Sequence, residues 1–371
     1  MKRILKKRLA WLLVLALSVV LLEGCGNKNT RQGSGTTDTR TAAETADIAG
    51  ETQAASAEIG GEDETKAAAD DKLTADGGDE TTAGTGDEAK YPRQPEGSEL
   101  ILEAKPERVA SLVFGTDEML LGLAETSHIA GLSGLDNGCV YLAAEPSAYE
   151  SIPVVSSNAE MLFALEPDFI IGSGWLDEDL KAQIADSKIP YYGYTTPKTM
   201  DEQIQIVEEL GFLLGEDEKT AAVVNDMKKR TEAVKSKAAA IPEEERVTVM
   251  AYNMHESSSA KGTIFDDMVT LAGGINLSAQ AGLEGTAKIS KEQLVELNPQ
   301  VIILVEWAAD TDEEFQAFVE TLKNDESLQS VDAVKNGRIY ASTDNSITNV
   351  SQFAVDGLEF VAKCCYPELY R

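Results

Sequence analysis

Histidine, cysteine, arginine and tryptophan are all scarce in this 371-residue chain, and each scarcity closes off a class of chemistry. Two histidines, His128 and His255, cannot furnish the multi-histidine set that captures zinc or manganese. Of four cysteines, three follow Cys25 (Cys139, Cys364 and Cys365), an odd number that implies no disulfide framework. From residue 97 onward the arginines are Arg108, Arg230, Arg246, Arg338 and Arg371, each at a strand start, on a long helix or at the terminus. Planar capture of a carboxylate or a trianionic catecholate normally uses arginine, so a strongly basic binding cleft is not expected, although Lys261 and Lys288 add some positive charge. A P-loop, a dinucleotide glycine fingerprint, paired metal-binding cysteines and an HExxH helix are also missing. No nucleophile–base pair stands out, so neither an enzyme nor a cofactor is expected. Positive charge is short overall: 32 Lys and Arg against 64 Asp and Glu leave a net charge of −32, which repels nucleic acid and anionic membrane surfaces.

The first 96 residues lack what a fold needs. Residues 1–25 carry a basic start (Lys2, Arg3, Lys6, Lys7, Arg8) and an apolar stretch, Leu9–Leu22, too short to span a bilayer comfortably. They end Leu22-Glu23-Gly24-Cys25, similar to a bacterial lipobox, with Glu23 where a small residue is usual. Lipidation of Cys25 would tether the protein to the outer face of the cell membrane; an ordinary secretory signal or an uncleaved anchor is the alternative. Residues 26–96 are mostly Ala, Thr, Gly, Asp and Glu and cannot bury enough apolar surface to offset ordering entropy. They read as a disordered acidic linker.

What is present is a repeat. Glu160–Trp175 and Glu292–Trp307, 132 positions apart, share the pattern E-x-L-x-x-L-x-P-x-(apolar)-I-I-x-x-x-W. Each copy reads as a short helix with its leucines on one face, a proline stop, a strand buried on both faces and a tryptophan past the strand's end. Two copies predict two similar lobes. Around them, strands are expected at Arg108–Leu112, Ile129–Leu132, Ile189–Tyr192, Arg246–Tyr252 and Arg338–Ala341, alternating with helices, as in βαβ units with a parallel sheet. Thr116 is the expected N-cap of a helix from Asp117. Glu216 to about Ala240, free of Pro and Gly, reads as one long helix with Ala221, Val224, Met227 and Val234 on its apolar side. The fold expected is α/β, two Rossmann-like lobes joined by that spine helix with a cleft between them: residues 97–215, 216–240 and 241–371.

This arrangement resembles the class III substrate-binding proteins of ABC importers, which serve iron–siderophore, haem and cobalamin uptake. The resemblance rests on Pro106-Glu107-Arg108-Val109, both cassettes, Leu271–Asn276 and Val334–Tyr340. It implies a monomeric extracellular lipoprotein, small opening motions about the spine, and delivery of a ligand to a permease dimer driven by a cytoplasmic ATPase. It also implies that Glu160 and Glu292, one per lobe, dock the permease. Each carboxylate independently sits in the first turn of a helix, where the dipole favours an anion.

Ligands of open α/β sheets lie beyond the carboxyl ends of the strands. That places Phe114, Asp136, Tyr141 and Trp175 in the first lobe's share of the cleft, with Asn137, Ser156 and Ser157, and Asn253, His255 and Trp307 in the second's, with Met254, Glu284, Asp344 and Asn345. Two tryptophans at cleft edges suit a large flat ligand. With few arginines, a corrinoid or a neutral or cationic ferric siderophore fits better than haem held by its propionates. His255 could instead ligate haem iron or cobalt, and a sensor or adhesion protein reusing the fold is the rival outside transport.

Overall fold

The computed structural model describes residues 90–133, 149, 151–155, 158–306, 312–342, 346–348 and 350–370. Lobe one runs β1 (Val109–Ser111), α1 (Phe114–Leu123), β2 (Ile129–Gly131), α2 (Ala159–Ala164), β3 (Phe169–Ser173), α3 (Glu178–Ser187), β4 (Tyr191–Tyr194) and α4 (Met200–Leu214). The long helix is α5 (Asp217–Ala238). Lobe two runs β5 (Thr248–Tyr252), β6 (Ser257–Ser259), α6 (Ile264–Leu271), β7 (Ile275–Asn276), α7 (Leu277–Gln280), β8 (Thr286–Lys288), α8 (Lys291–Leu297), β9 (Val301–Val305), α9 (Asp312–Asn324), α10 (Asp332–Lys335), β10 (Ile339–Ser342) and α11 (Ala354–Cys365).

Each lobe holds a four-stranded parallel sheet, ordered β2-β1-β3-β4 in the first and β7-β5-β9-β10 in the second. Leaving aside the small antiparallel ribbon β6–β8, both sheets follow one scheme, with the second strand outside the first, then the third and fourth. The cassette strands β3 and β9 are buried at every residue, as continuous apolar runs between two helical layers require.

The repeat goes deeper than its letters. Glu166 and Asn298, each just before the cassette proline, both adopt left-handed backbone, with φ of 49° and 50°. Two residues on, Asp168 accepts the N–H groups of Glu107 and Arg108 at 2.8 and 2.9 Å, and Gln300 accepts that of Thr248 at 2.9 Å. In both lobes the cassette therefore pins the chain just as it enters the first strand.

α5 is about 33 Å long at 1.5 Å per residue and packs on α4 of lobe one and on α6 and α11 of lobe two. One hydrophobic cluster passes from Val109 and Phe169 through Val224 and Met227 of α5 to Val249, Val301 and Leu358. The buried stripe of α5 differs from expectation: Ala221 is exposed and Thr220 lies inward. Thr220 tolerates burial because its hydroxyl bonds Glu216 O at 2.6 Å, and its place is set by Gly211, where any Cβ would lie 1.8 Å from Thr220 Oγ1.

Two other expectations are corrected. α1 begins at Phe114, with Val113 as a cap that makes no side-chain bond. The Thr116 hydroxyl bonds Val113 O at 2.8 Å and Ser111 Oγ at 2.7 Å instead. The packed fold also starts earlier than residue 97. Arg93 is 5% exposed, its guanidinium paired with both Asp217 oxygens at 2.6 and 2.7 Å and lying over the rings of Tyr91 and Phe212. Composition could not show this, because a proline-flanked polar stretch is held by contacts with α4 and α5 rather than by its own pattern.

Candidate functional site

In each sheet the chain moves outward from the first strand to the second, then returns past the first to the third. The carboxyl ends of strands one and three are the switch point, where a crevice opens and ligands bind. In lobe one these are the ends of β1 and β3; in lobe two, β5 and β9. Of the described candidates, Phe114 and Trp175 follow β1 and β3, and Asn253, Met254 and His255 follow β5, whereas Glu284 lies just before β8.

Phe114 follows β1 as the first residue of α1, half-buried against the core. Trp175 follows β3, two residues past Ser173, and is 66% exposed, so it does not pack beneath its own loop. The strand end that carries it is stiff: Gly174 N donates to Tyr194 O at 2.7 Å, and the Tyr191 hydroxyl donates to Ser173 O at 2.6 Å. Asp136, Asn137, Tyr141, Ser156, Ser157, Trp307, Asp344 and Asn345 lie outside the described residues, as does Cys25.

In lobe two Asn253 is buried, and its amide oxygen is engaged by the N–H groups of His255 and Ser257 at 3.0 and 3.1 Å. It shapes the turn after β5 and aims its neighbours. Met254 is half-buried and His255 exposed beyond that turn. Lys288 Nζ donates to His255 O at 2.7 Å, and Lys261 faces Glu284 at 3.8 Å, so both lysines have partners.

Sequence reasoning missed the polar knot under the lobe-one switch point. Asp117 is 1% exposed, and its carboxylate accepts the Ser133 N–H at 3.0 Å and the Ser133 hydroxyl at 2.5 Å. Burial pushes it up to about 7, against the hydrogen bonds from Ser111 and Ser133. Next to it, Glu118 O accepts Gln352 Nε2 from lobe two at 2.9 Å. No sequence signal could have found this site, because an Asp early in a helix is ordinarily an exposed dipole partner.

The cassette glutamates match in position. Glu160 and Glu292 are each the second residue of a helix, α2 and α8, and both are exposed. Asn158 caps α2 through the N–H groups of Glu160 and Met161; Ser290 caps α8 in a capping box with Gln293. The Ser290 hydroxyl and then its own backbone N–H hold the Glu292 carboxyl below the usual range. Among the described residues no helix is long and apolar enough to cross a membrane, and no three His, Cys, Asp or Glu are grouped to hold a metal.

Comparison with known proteins agrees with this architecture. The chain is similar to an uncharacterized ABC transporter substrate-binding lipoprotein of Bacillus subtilis, 20% identical over 279 residues, covering 74% of this chain and 84% of that one. Among solved structures it resembles a periplasmic heme-binding protein from Roseiflexus, with a TM-score of 0.58 and 20% identity over 71% of this chain and 99% of that one. It also resembles an ABC-type Fe3+-hydroxamate transport protein from Saccharomonospora viridis, with a TM-score of 0.58 and 18% identity over 71% and 95%. The periplasmic binding protein family model matches residues 109–345, from the first strand to just beyond the last. With that match spanning both sheets and the long helix between them, the chain belongs to the periplasmic binding protein family.

Proposed function

We propose that this substrate-binding protein of an ABC transporter is a lipid-anchored extracellular protein that captures a metal chelate, a corrinoid or a near-neutral or cationic ferric siderophore. The observation that carries this reading is Trp175, a large aromatic ring left 66% exposed at the switch point of a parallel sheet. Trp307 stands in the same cassette position of the other lobe. Wide aromatic faces suit a broad, weakly charged ligand.

The arginines support the same choice. Arg93 pairs with Asp217, Arg108 bonds Leu165 O and Glu166 O, Arg230 pairs with Asp356 and Glu359, and Arg338 bonds Cys364 O and Cys365 O. None of these four is turned to an anionic ligand at a switch point. The heme-binding and hydroxamate-transport structures that share the fold fit a chelate ligand. A second reading, haem ligated by the exposed His255, is favoured by that residue's place beyond β5. Docking falls to Glu160 and Glu292, which reach permease cations through charge-assisted pairs. The protein acts as a monomer with a permease dimer and its cytoplasmic ATPase. The lobes are assigned to residues 97–215 and 241–371 about the spine, with the N-terminal lobe extended back to Tyr91.

The test is a titration of the purified protein with cobalamin, cobinamide, haem and ferric hydroxamates, read by tryptophan quenching. A corrinoid or hydroxamate binding tightest, with deep quenching, is expected. Haem binding that depends on His255 would favour the second reading. Binding of none of these would remove the chelate assignment.

A further inference from the structure

Among the described residues six large hydrophobic side chains are exposed, and three of them, Val154, Met161 and Trp175, lie at the carboxyl end of the lobe-one sheet. Trp175 belongs to the cleft reading. Of the other two, Met161 adjoins Glu160. Met161 is the next residue of the same first helical turn and is 48% exposed. Val154 is 56% exposed and pairs with Leu132, where the chain leaves β2.

The 132-residue offset of the cassettes names the lobe-two counterpart of Met161, and it is polar. Met161 corresponds to Gln293, which is spent on the α8 capping box. Ala159 corresponds to Lys291, whose ammonium pairs with Asp325 at 2.7 Å. Glu160 therefore has an exposed methionine beside it, and its twin stands beside a hydroxyl, an amide and an ion pair.

We propose that the two lobes meet the permease through unlike surfaces, lobe one by burying Met161 beside Glu160 together with Val154 at the same sheet end, and lobe two by charge and hydrogen bonding around Glu292. This rests on the docking role of the two glutamates and adds a polarity to it. An apolar contact is nearly indifferent to salt, whereas exposed charge pairs weaken as salt screens them. The lobe-one surface then supplies salt-resistant affinity, and the lobe-two surface supplies steering and register.

The probe is the ABC permease identified by mass spectrometry in cross-links of the wild-type protein on cells, purified in nanodiscs and titrated with full-length protein at low and high salt. Met161→Gln and Val154→Ser are each expected to weaken binding about three- to tenfold at both salts, with unchanged melting, from the loss of half a buried apolar side chain. Gln293→Met should tighten it. Glu292→Gln should weaken binding at low salt and approach wild type at high salt. Wild-type affinity in both Met161→Gln and Val154→Ser, or losses that vanish at high salt, would overturn the apolar contact while leaving docking intact. If Glu160→Gln and Glu292→Gln also bind like wild type at low salt, the docking reading itself falls.

Discussion

Trp175 and Asp117 sit under the same switch point and answer to opposite physics. Trp175 is exposed, so truncation removes little buried area. Trp175→Ala should leave folding within about 0.5 kcal/mol of wild type while weakening ligand binding by about 1–3 kcal/mol. Melting curves beside binding titrations check this; a large melting loss with intact affinity would make the ring structural. Asp117 is buried and held up at about 7 against an ordinary 3.8. Its folded form takes up a proton more readily than its unfolded form, so its favourable contribution is complete below about pH 4. It is lost as pH climbs through about 7, by at most about 4 kcal/mol. Asp117→Asn cannot ionise, and its amide oxygen still accepts from Ser133. Denaturant titrations from pH 4 to pH 8 should show a flatter pH dependence for the variant and greater stability at pH 8. An unchanged slope would rule Asp117 out as its source.

At the scale of elements, the spine is held by a close approach and by ionic bridges, among them Arg93 to Asp217 and Arg230 to α11. Gly211 lets α4 touch α5 at Thr220, where a Cβ would meet Oγ1 at 1.8 Å. Gly211→Ala forces the two helices apart and should cost about 1–3 kcal/mol as overpacking, although alanine is the better helix former. Thermal unfolding measures the sign, and a stabilised variant would mean that the contact relaxes freely. Arg230 ties α5 to α11 through Asp356 and Glu359, a partly exposed network whose carboxylates keep the guanidinium firmly charged. Thr199 and Thr263 accept N–H groups three residues ahead and cap α4 and α6. Thr116 failed as a cap because the strand–helix turn is so tight that its hydroxyl faces Ser111 instead. The ribbon β6–β8 was not legible, since three serines against Thr-Ala-Lys carry no alternating apolar signal.

For the whole molecule, polar contacts bridge the lobes. Met200 N, the first residue of α4, donates to Asp267 Oδ2 of α6 at 2.8 Å, and Gln352 reaches Glu118 O. Together with the shared core along α5 they should oppose wide opening. Spin labels at exposed Lys188 and Lys335 should give one narrow distance distribution that shifts little on ligand binding, and Asp267→Ala should broaden it. A wild-type protein with two well-separated distances would contradict this. Anchoring is tested by Cys25→Ala, which should release the protein to the medium or leave its leader uncleaved; membrane retention of a correctly cleaved variant would refute lipidation.

The sequence by itself determined the two-lobed α/β plan, the long helix and the matched cassettes, because periodicity, proline stops and buried apolar runs are local properties written in neighbouring residues. It also placed Glu160, Glu292 and Trp175 on their elements, since a helix start and a strand end follow from the same local pattern. Only the tertiary structure decided that Arg93 belongs to the fold, that Asn253 is engaged in shaping its own turn, and that Asp117 is a buried acid. It likewise decided that Met161 is exposed beside Glu160, whereas its counterpart Gln293 is spent on a capping box. Each of those depends on partners many residues away, and burial, the quantity that sets their chemistry, is a property of packed elements rather than of the chain.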